Sequence, residues 1–153
     1  MVDVFSGPST GAILNAALTL RNPEDSSKPK YRARIVGVVS TGATTYADSL
    51  AAGHVVEAPV TTRLADGMAV RVADADALAV LQQHLDHLVQ VSDAEVAQAM
   101  RDLFTDTHNV AEGAGAASFA AAMQERAHLK GQVVGTTLCG GNVDASVFAE
   151  VIS

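Results

Sequence analysis

Two glycine-bearing turns hold most of the chemical potential of this sequence: Gly7-Pro8-Ser9-Thr10-Gly11 and Cys139-Gly140-Gly141-Asn142. Each follows an apolar run of strand length and opens a segment of helical period. A turn in that place sits at the C-terminal edge of a parallel strand, where α/β sheets bind ligands. The free N–H groups of the following helix attract anions there. Such turns can serve a small anionic ligand, or they can be tight connections and nothing more. The other reactive residue types form no constellation. His54, His84, His87, His108 and His128 are scattered. His84 and His87 are close in sequence, but a helix is expected to end between them, so they read as helix-end histidines rather than metal ligands. There is no G-x-S-x-G elbow, no Walker A loop and no local Cys–His pairing. The carboxylates fall mostly on expected helix surfaces and caps.

The elements that must carry these turns follow from hydrophobic period. Val2–Phe5 is a short strand, Ala12–Arg21 a helix, and Asn22–Lys30, polar with two prolines, an exposed loop. Ala33–Val39 is β-branched and, Arg34 apart, continuously apolar, as expected of a strand buried on both faces. Thr44–Ala52 reads as a short helix stopped by Gly53, and His54–Arg71 as a less regular stretch. Asp74 is placed to cap a helix that buries Ala77, Leu78, Leu81 and Leu85. His87–Val91 is the next strand. Ser92 and Glu95 form an S-x-x-E capping box before the apolar face of Val96, Met100, Leu103 and Phe104. Glu112–Met123 is an Ala-rich helix, Gln132–Leu138 a last strand, and Asn142–Ile152 a final helix with Val143, Val147, Phe148 and Val151 inward. Strands alternating with helices predict one α/β domain over residues 1–153: three αβα layers around a largely parallel sheet.

Composition narrows the partners. With 153 residues, 48% hydrophobic and 18% charged, the chain is too apolar to be disordered and long enough for one packed core. Its net charge of −7 argues against nucleic acid and against a membrane surface, both of which need clustered Lys and Arg. No run approaches a membrane span and the N-terminus lacks a basic signal region. The single cysteine excludes an internal disulfide and fits a cytoplasmic location.

Four ordered segments then resemble one family. Ala65-Asp66-Gly67-Met68-Ala69-Val70-Arg71 is similar to the ADGLAVR stretch of threonine dehydratases, and Val91-Ser92-Asp93-Ala94-Glu95-Val96 to their VSDEEI helix start. Glu112-Gly113-Ala114-Gly115-Ala116-Ala117 resembles EPAGAA, and Leu138-Cys139-Gly140-Gly141-Asn142-Val143-Asp144 the (S/C)GGN(I/V)D turn. With the strand Arg34-Ile35-Val36-Gly37-Val38, nearly the whole chain resembles the C-terminal half of the large domain of threonine/serine dehydratases. These enzymes and serine racemase share the fold-type II, tryptophan synthase β-like architecture and depend on pyridoxal phosphate (PLP).

The resemblance implies roles. Cys139 takes the position that faces the pyridine nitrogen of PLP, Gly67 lies against the cofactor's face, and Glu112 stands near the ring edge or serves its helix N-terminus. Gly140, Gly141 and Asn142 complete the turn. Ser9, Thr10 and Gly11 occupy the phosphate loop, where the family has consecutive glycines; Pro8 removes one N–H donor there. The family's Schiff-base lysine lies in an S-x-K-x-R-G segment that this sequence does not contain, and Lys28, Lys30 and Lys130 do not match its place. The family's metal-holding Val-Glu-Pro reads Val38-Val39-Ser40, so no metal site is implied. The sequence therefore leads to two expectations. Either this is one chain of a split or truncated amino-acid ammonia-lyase needing a lysine-bearing partner, or it is a non-catalytic binding module on the same frame. Self-association into a homo-oligomer is expected under both.

Overall fold

The computed structural model describes residues 2–6, 21–22, 25–29 and 33–153. Its strands are β1 (Val2–Ser6), β2 (Arg21–Asn22), β3 (Asp25–Pro29), β4 (Ala33–Ser40), β5 (His87–Val91) and β6 (Val133–Thr136). Four of them form one parallel sheet in the order β5-β4-β1-β6. Val2 pairs with both Ala33 and Val133, and Val36 pairs with His87. The short strands β2 and β3 pair antiparallel.

Alternation along β4 explains the layers. Val36 and Val38 face one way, into a core with Val89 and Val91 of β5. That core is covered by α3 (Asp93–Thr107), α4 (Gly113–Gln124) and α5 (Ala145–Ile152) through Val96, Met100, Ala116, Ala120 and Val151. Ile35 and Val39 face the other way, against Tyr46 of α1 (Thr45–Ala52) and Leu81 of α2 (Ala75–His84). A strand with helices on both sides is apolar along its covered length, and β4 is from Ile35 to Val39, with Arg34 before that run and Ser40 after it. The three-layer αβα arrangement with a parallel sheet is the one expected.

Local signals act where the sequence placed them. Gly53 ends α1 at φ 76°, a left-handed cap. The Asp74 carboxylate accepts from the Ala77 N–H at 2.8 Å at the start of α2. Ser92 and Glu95 close the capping box on α3. Hydrogen bonds from the Ser92 N–H, the Gln124 amide and the Ser92 hydroxyl hold the Glu95 carboxyl below its ordinary range, against the opposing effect of burial.

Four expectations need correction. Asn22–Lys30 is not simply a loop, because Asp25–Pro29 pairs with Arg21–Asn22; Pro29 lies at the strand end, where its missing N–H is tolerated. Arg21 therefore belongs to β2, and the rest of the helix expected over Ala12–Arg21 lies outside the described residues. β6 ends at Thr136 and α5 starts only at Ala145, since the intervening glycine turn satisfies neither ladder nor helix. Val147 is 37% exposed. The line of contact between α5 and α3 runs through Phe148, whose ring meets Phe104 edge-on at 5.3 Å, and Val151. Val147 lies to one side of that line.

Candidate functional site

The C-terminal edge of the sheet is where β6 gives way to the turn at 139–142. Helix α4 runs back along the sheet so that its N-terminus comes to this same edge. Its packing is close because the residues it buries are small: Gly115, Ala116, Ala117, Ser118, Ala120 and Ala121. Ser118 donates its hydroxyl to the Thr137 carbonyl at 2.6 Å and so ties the helix to the strand end. Gly113, the first residue of α4, lies against the backbone at Leu64; a methyl group added there would stand 2.0 Å from the Leu64 oxygen. These approaches bring three of the four sequence motifs to one place.

Glu112 is at their centre. It is the N-cap residue of α4, yet its side chain caps nothing in the helix. Its carboxylate turns instead to the glycine turn, where Oε2 accepts the Asn142 N–H at 3.0 Å. Its own N–H donates to the Gly140 carbonyl at 3.1 Å. Gly140 has φ +107°, and a Cβ there would meet Glu112 Oε1 at 2.5 Å. Both the backbone angle and the space require glycine.

Gly67 belongs to a single 3-10 turn, Asp66–Met68, on the other side of the carboxylate. A Cβ at Gly67 would lie 3.0 Å from Ala114 Cβ and 3.5 Å from Glu112 Oε1. This turn is held from a distance by Asp93, the first residue of α3. Asp93 accepts from the Thr62 hydroxyl, from the Arg63 N–H at 2.9 Å and from the Leu64 N–H at 3.4 Å. Burial works to raise the Asp93 pKa, but those three hydrogen bonds outweigh it and hold the carboxyl below its ordinary value.

Gly67, Glu112, Gly140, Gly141 and Asn142 are thus assembled, with the exposed Cys139 thiol beside them. Ser9, Thr10 and Gly11 lie outside the described residues. Their strand, β1, pairs with β6 so that Phe5 is opposite Thr136, and it ends at the same edge. Sequence reading missed Asp93 as an anchor, although it lay inside a quoted motif. It also missed Ser118 and Thr137, for which no sequence pattern was available. The Thr137 hydroxyl, just before the turn, is buried without a hydrogen-bond partner among the described residues.

The histidines do not join this site. α2 ends at His84 and β5 begins at His87, so the two are on different elements. His87 is the first residue of β5 and is not a free helix-end residue: Asp86 and Glu125 flank its ring, each at 2.9 Å. Among the described residues no group of three His, Cys, Asp or Glu side chains is placed to hold a metal ion. No described helix is long and apolar enough to cross a membrane. Lys130 precedes β6 and is therefore at the edge opposite Cys139.

The described residues suit the ring half of the implied cofactor. A pyridine nitrogen needs a hydrogen-bonding side chain, and the Cys139 thiol is exposed at the turn. A ring face needs backbone without a side chain beside it, and Gly67 offers bare backbone, the direction its side chain would take being filled by Ala114 and Glu112.

The chain matches the family model described as "Pyridoxal-phosphate dependent enzyme" over residues 2–140. It is 36% identical over 120 residues to the L-threonine ammonia-lyase of Geobacter sulfurreducens, a match covering 78% of this chain and 30% of that protein. The processed threonine deaminase isoform 2 from Solanum lycopersicum superposes with a TM-score of 0.80 at 26% identity, over 97% of this chain and 43% of that one. Maize serine racemase gives a TM-score of 0.74 at 26% identity, over 97% of this chain and 45% of that one. The chain spans about a third of the length of the curated relatives it matches.

Proposed function

The chain belongs to the pyridoxal-phosphate dependent enzyme family, and from that premise we propose that it supplies the ring-binding half of a threonine/serine ammonia-lyase site. The observation that carries this reading is the clamp of Glu112 on the Gly140 turn, with Gly67 across the carboxylate and Cys139 exposed beside it.

PLP, when bound, supplies the electron sink that weakens the bonds at an amino acid's α-carbon. The tasks left to this chain are binding and orientation. Cys139 gives the ring nitrogen a neutral hydrogen-bonding group, which suits elimination of ammonia after loss of a β-hydroxyl. Gly67 offers bare backbone to the ring face. Ser9, Thr10 and Gly11 take the phosphate, with hydroxyl groups replacing the N–H donor that Pro8 lacks. The lysine that must bear the cofactor and move the α-proton comes from a segment other than residues 1–153, so activity needs that segment supplied. Self-association would cover apolar surface left at the sheet edges, and a cytoplasmic location fits the single thiol.

The second reading, a non-catalytic ligand-binding module on this frame, is favoured by one observation: the Pro8-Ser9-Thr10 sequence in the phosphate turn. Titration separates the two. PLP added to the purified chain is expected to bind reversibly, seen as a change in its absorption band. Borohydride reduction should trap no adduct on Lys28, Lys30 or Lys130. Threonine or serine deamination should appear only when a lysine-bearing partner polypeptide is added. Absence of binding at millimolar PLP would sink the ammonia-lyase reading and leave the module.

A further inference from the structure

We propose that Glu112 is a positioning residue: its carboxylate fixes the left-handed turn at Gly140 and so determines where the Cys139 thiol stands. What the thiol is positioned toward rests on the proposed function; the hold on the turn does not.

An N-cap side chain usually accepts an N–H from the first turn of its own helix. Glu112 has the N-cap position of α4 and makes no such bond. Its carboxylate is turned to an amide 30 residues further along, the Asn142 N–H at 3.0 Å. Its main-chain N–H holds the Gly140 carbonyl at 3.1 Å. One residue therefore grips the turn twice, once through the backbone and once through the side chain. The turn has no regular structure of its own between Thr136 and Ala145, so these bonds carry much of its definition. The grip is also steric. Oε1 fills the space that Gly140 leaves open, 2.5 Å from where a Cβ would be. Glycine at 140 and glutamate at 112 are thus one device. Cys139 is joined directly to the gripped residue, and its exposed thiol has no other described side chain holding it. A carboxylate acceptor makes the bond to Asn142 stronger than a neutral one would be.

The test uses hydrogen exchange of the full chain without cofactor, followed by PLP titration of the same samples. In Glu112→Ala the Asn142 amide should exchange about 10 to 100 times faster, the range expected for losing a hydrogen bond to a charged group. Glu112→Gln keeps an acceptor oxygen and should recover most of the protection. PLP affinity should fall about tenfold in Glu112→Ala, with its absorption band displaced, and recover in Glu112→Gln. Asp74→Ala removes the cap of α2, outside this site, and should leave both readouts unchanged. Unchanged Asn142 exchange in Glu112→Ala overturns the proposal. So does faster exchange of equal size in Asp74→Ala, or a glutamine variant no better than alanine. Faster exchange with unaltered PLP affinity and band overturns the positioning of Cys139. If no variant, wild type included, binds PLP while exchange follows the expected order, the hold stands and the ammonia-lyase reading fails.

Discussion

Helix α4 has a glutamate at each end, and the two are used in opposite ways. Glu112 at the N-terminus spends its carboxylate on a backbone amide and a glycine, and the thiol next to that turn stays exposed. Glu125 at the C-terminus faces His87 Nε2 at 2.9 Å, while Asp86 faces Nδ1 at 2.9 Å. Carboxylates only accept, so the arrangement favours a ring that donates from both nitrogens, the imidazolium. Burial works to lower the His87 pKa, but the bonds and charges of Asp86 and Glu125 outweigh it and hold the value above 6.5. The C-terminal end of α4 is closed: both ring nitrogens of His87 are met by side chains on the spot. Its N-terminal end is only half closed. A network of charged side chains needs no ligand to be complete, whereas a turn held by one carboxylate presents what its glycines leave free.

Three substitutions probe that contrast, in falling order of effect. Gly113→Ala should do most damage, because its methyl would stand 2.0 Å from the Leu64 oxygen and backbone must move. A loss of about 3 kcal/mol is expected, at the upper end of overpacking costs, with the melting temperature lowered by roughly 6 to 12 °C. A melting curve like wild type would mean that α4 does not bear on the Leu64 segment.

Asp93→Ala leaves the Thr62 hydroxyl and two amides without their acceptor and should cost about 2 kcal/mol in denaturant unfolding. Because the folded pKa of Asp93 lies below its unfolded value, its contribution is present above the ordinary carboxylate range and fades as pH falls through the folded pKa. Wild type should therefore lose more stability on acidification than Asp93→Asn. Equal acid sensitivity would show that the loop leading to Gly67 is not held from α3.

His87→Gln should have the smallest effect, below about 1 kcal/mol, since the pair is partly exposed and screened. Its sign is the informative part. The folded pKa is raised, so the contribution is full below 6.5 and is lost as pH rises through the folded value. Stability of wild type should decline across that window and that of the variant should not. A decline shared by both would remove His87 from the explanation.

The sequence made the layers legible because their signals are local. The apolar run of β4 from residue 35 to residue 39, the Asp74 cap and the Ser92–Glu95 box each lie within a few residues of what they control. The candidate site was legible as a set of motifs, since Gly67, Glu112 and Cys139–Asn142 each stood in a matched segment. Their mutual arrangement was not. The Asn142 amide and the Glu112 carboxylate are 30 residues apart, and an amide has no side-chain identity to read. The bonds from Thr62 to Asp93 and from Ser118 to Thr137 are missed for the same reason. The β2–β3 pairing was hidden by a polar composition with prolines, which a strand seldom shows. Val147 looked inward because its residue type is apolar, while the contact it needed is taken by Phe148 and Val151.

The length of α4 has an electrostatic consequence. Its 12 residues lie between Glu112 and Glu125 and separate them by roughly 20 Å at 1.5 Å per residue. At physiological salt the screening distance is about 8 Å, less than half of that separation. A proton leaving His87 should therefore change the field at the Cys139 thiol very little, and the two ends of α4 can be acidified, alkalised or mutated as electrically separate rooms joined by one beam.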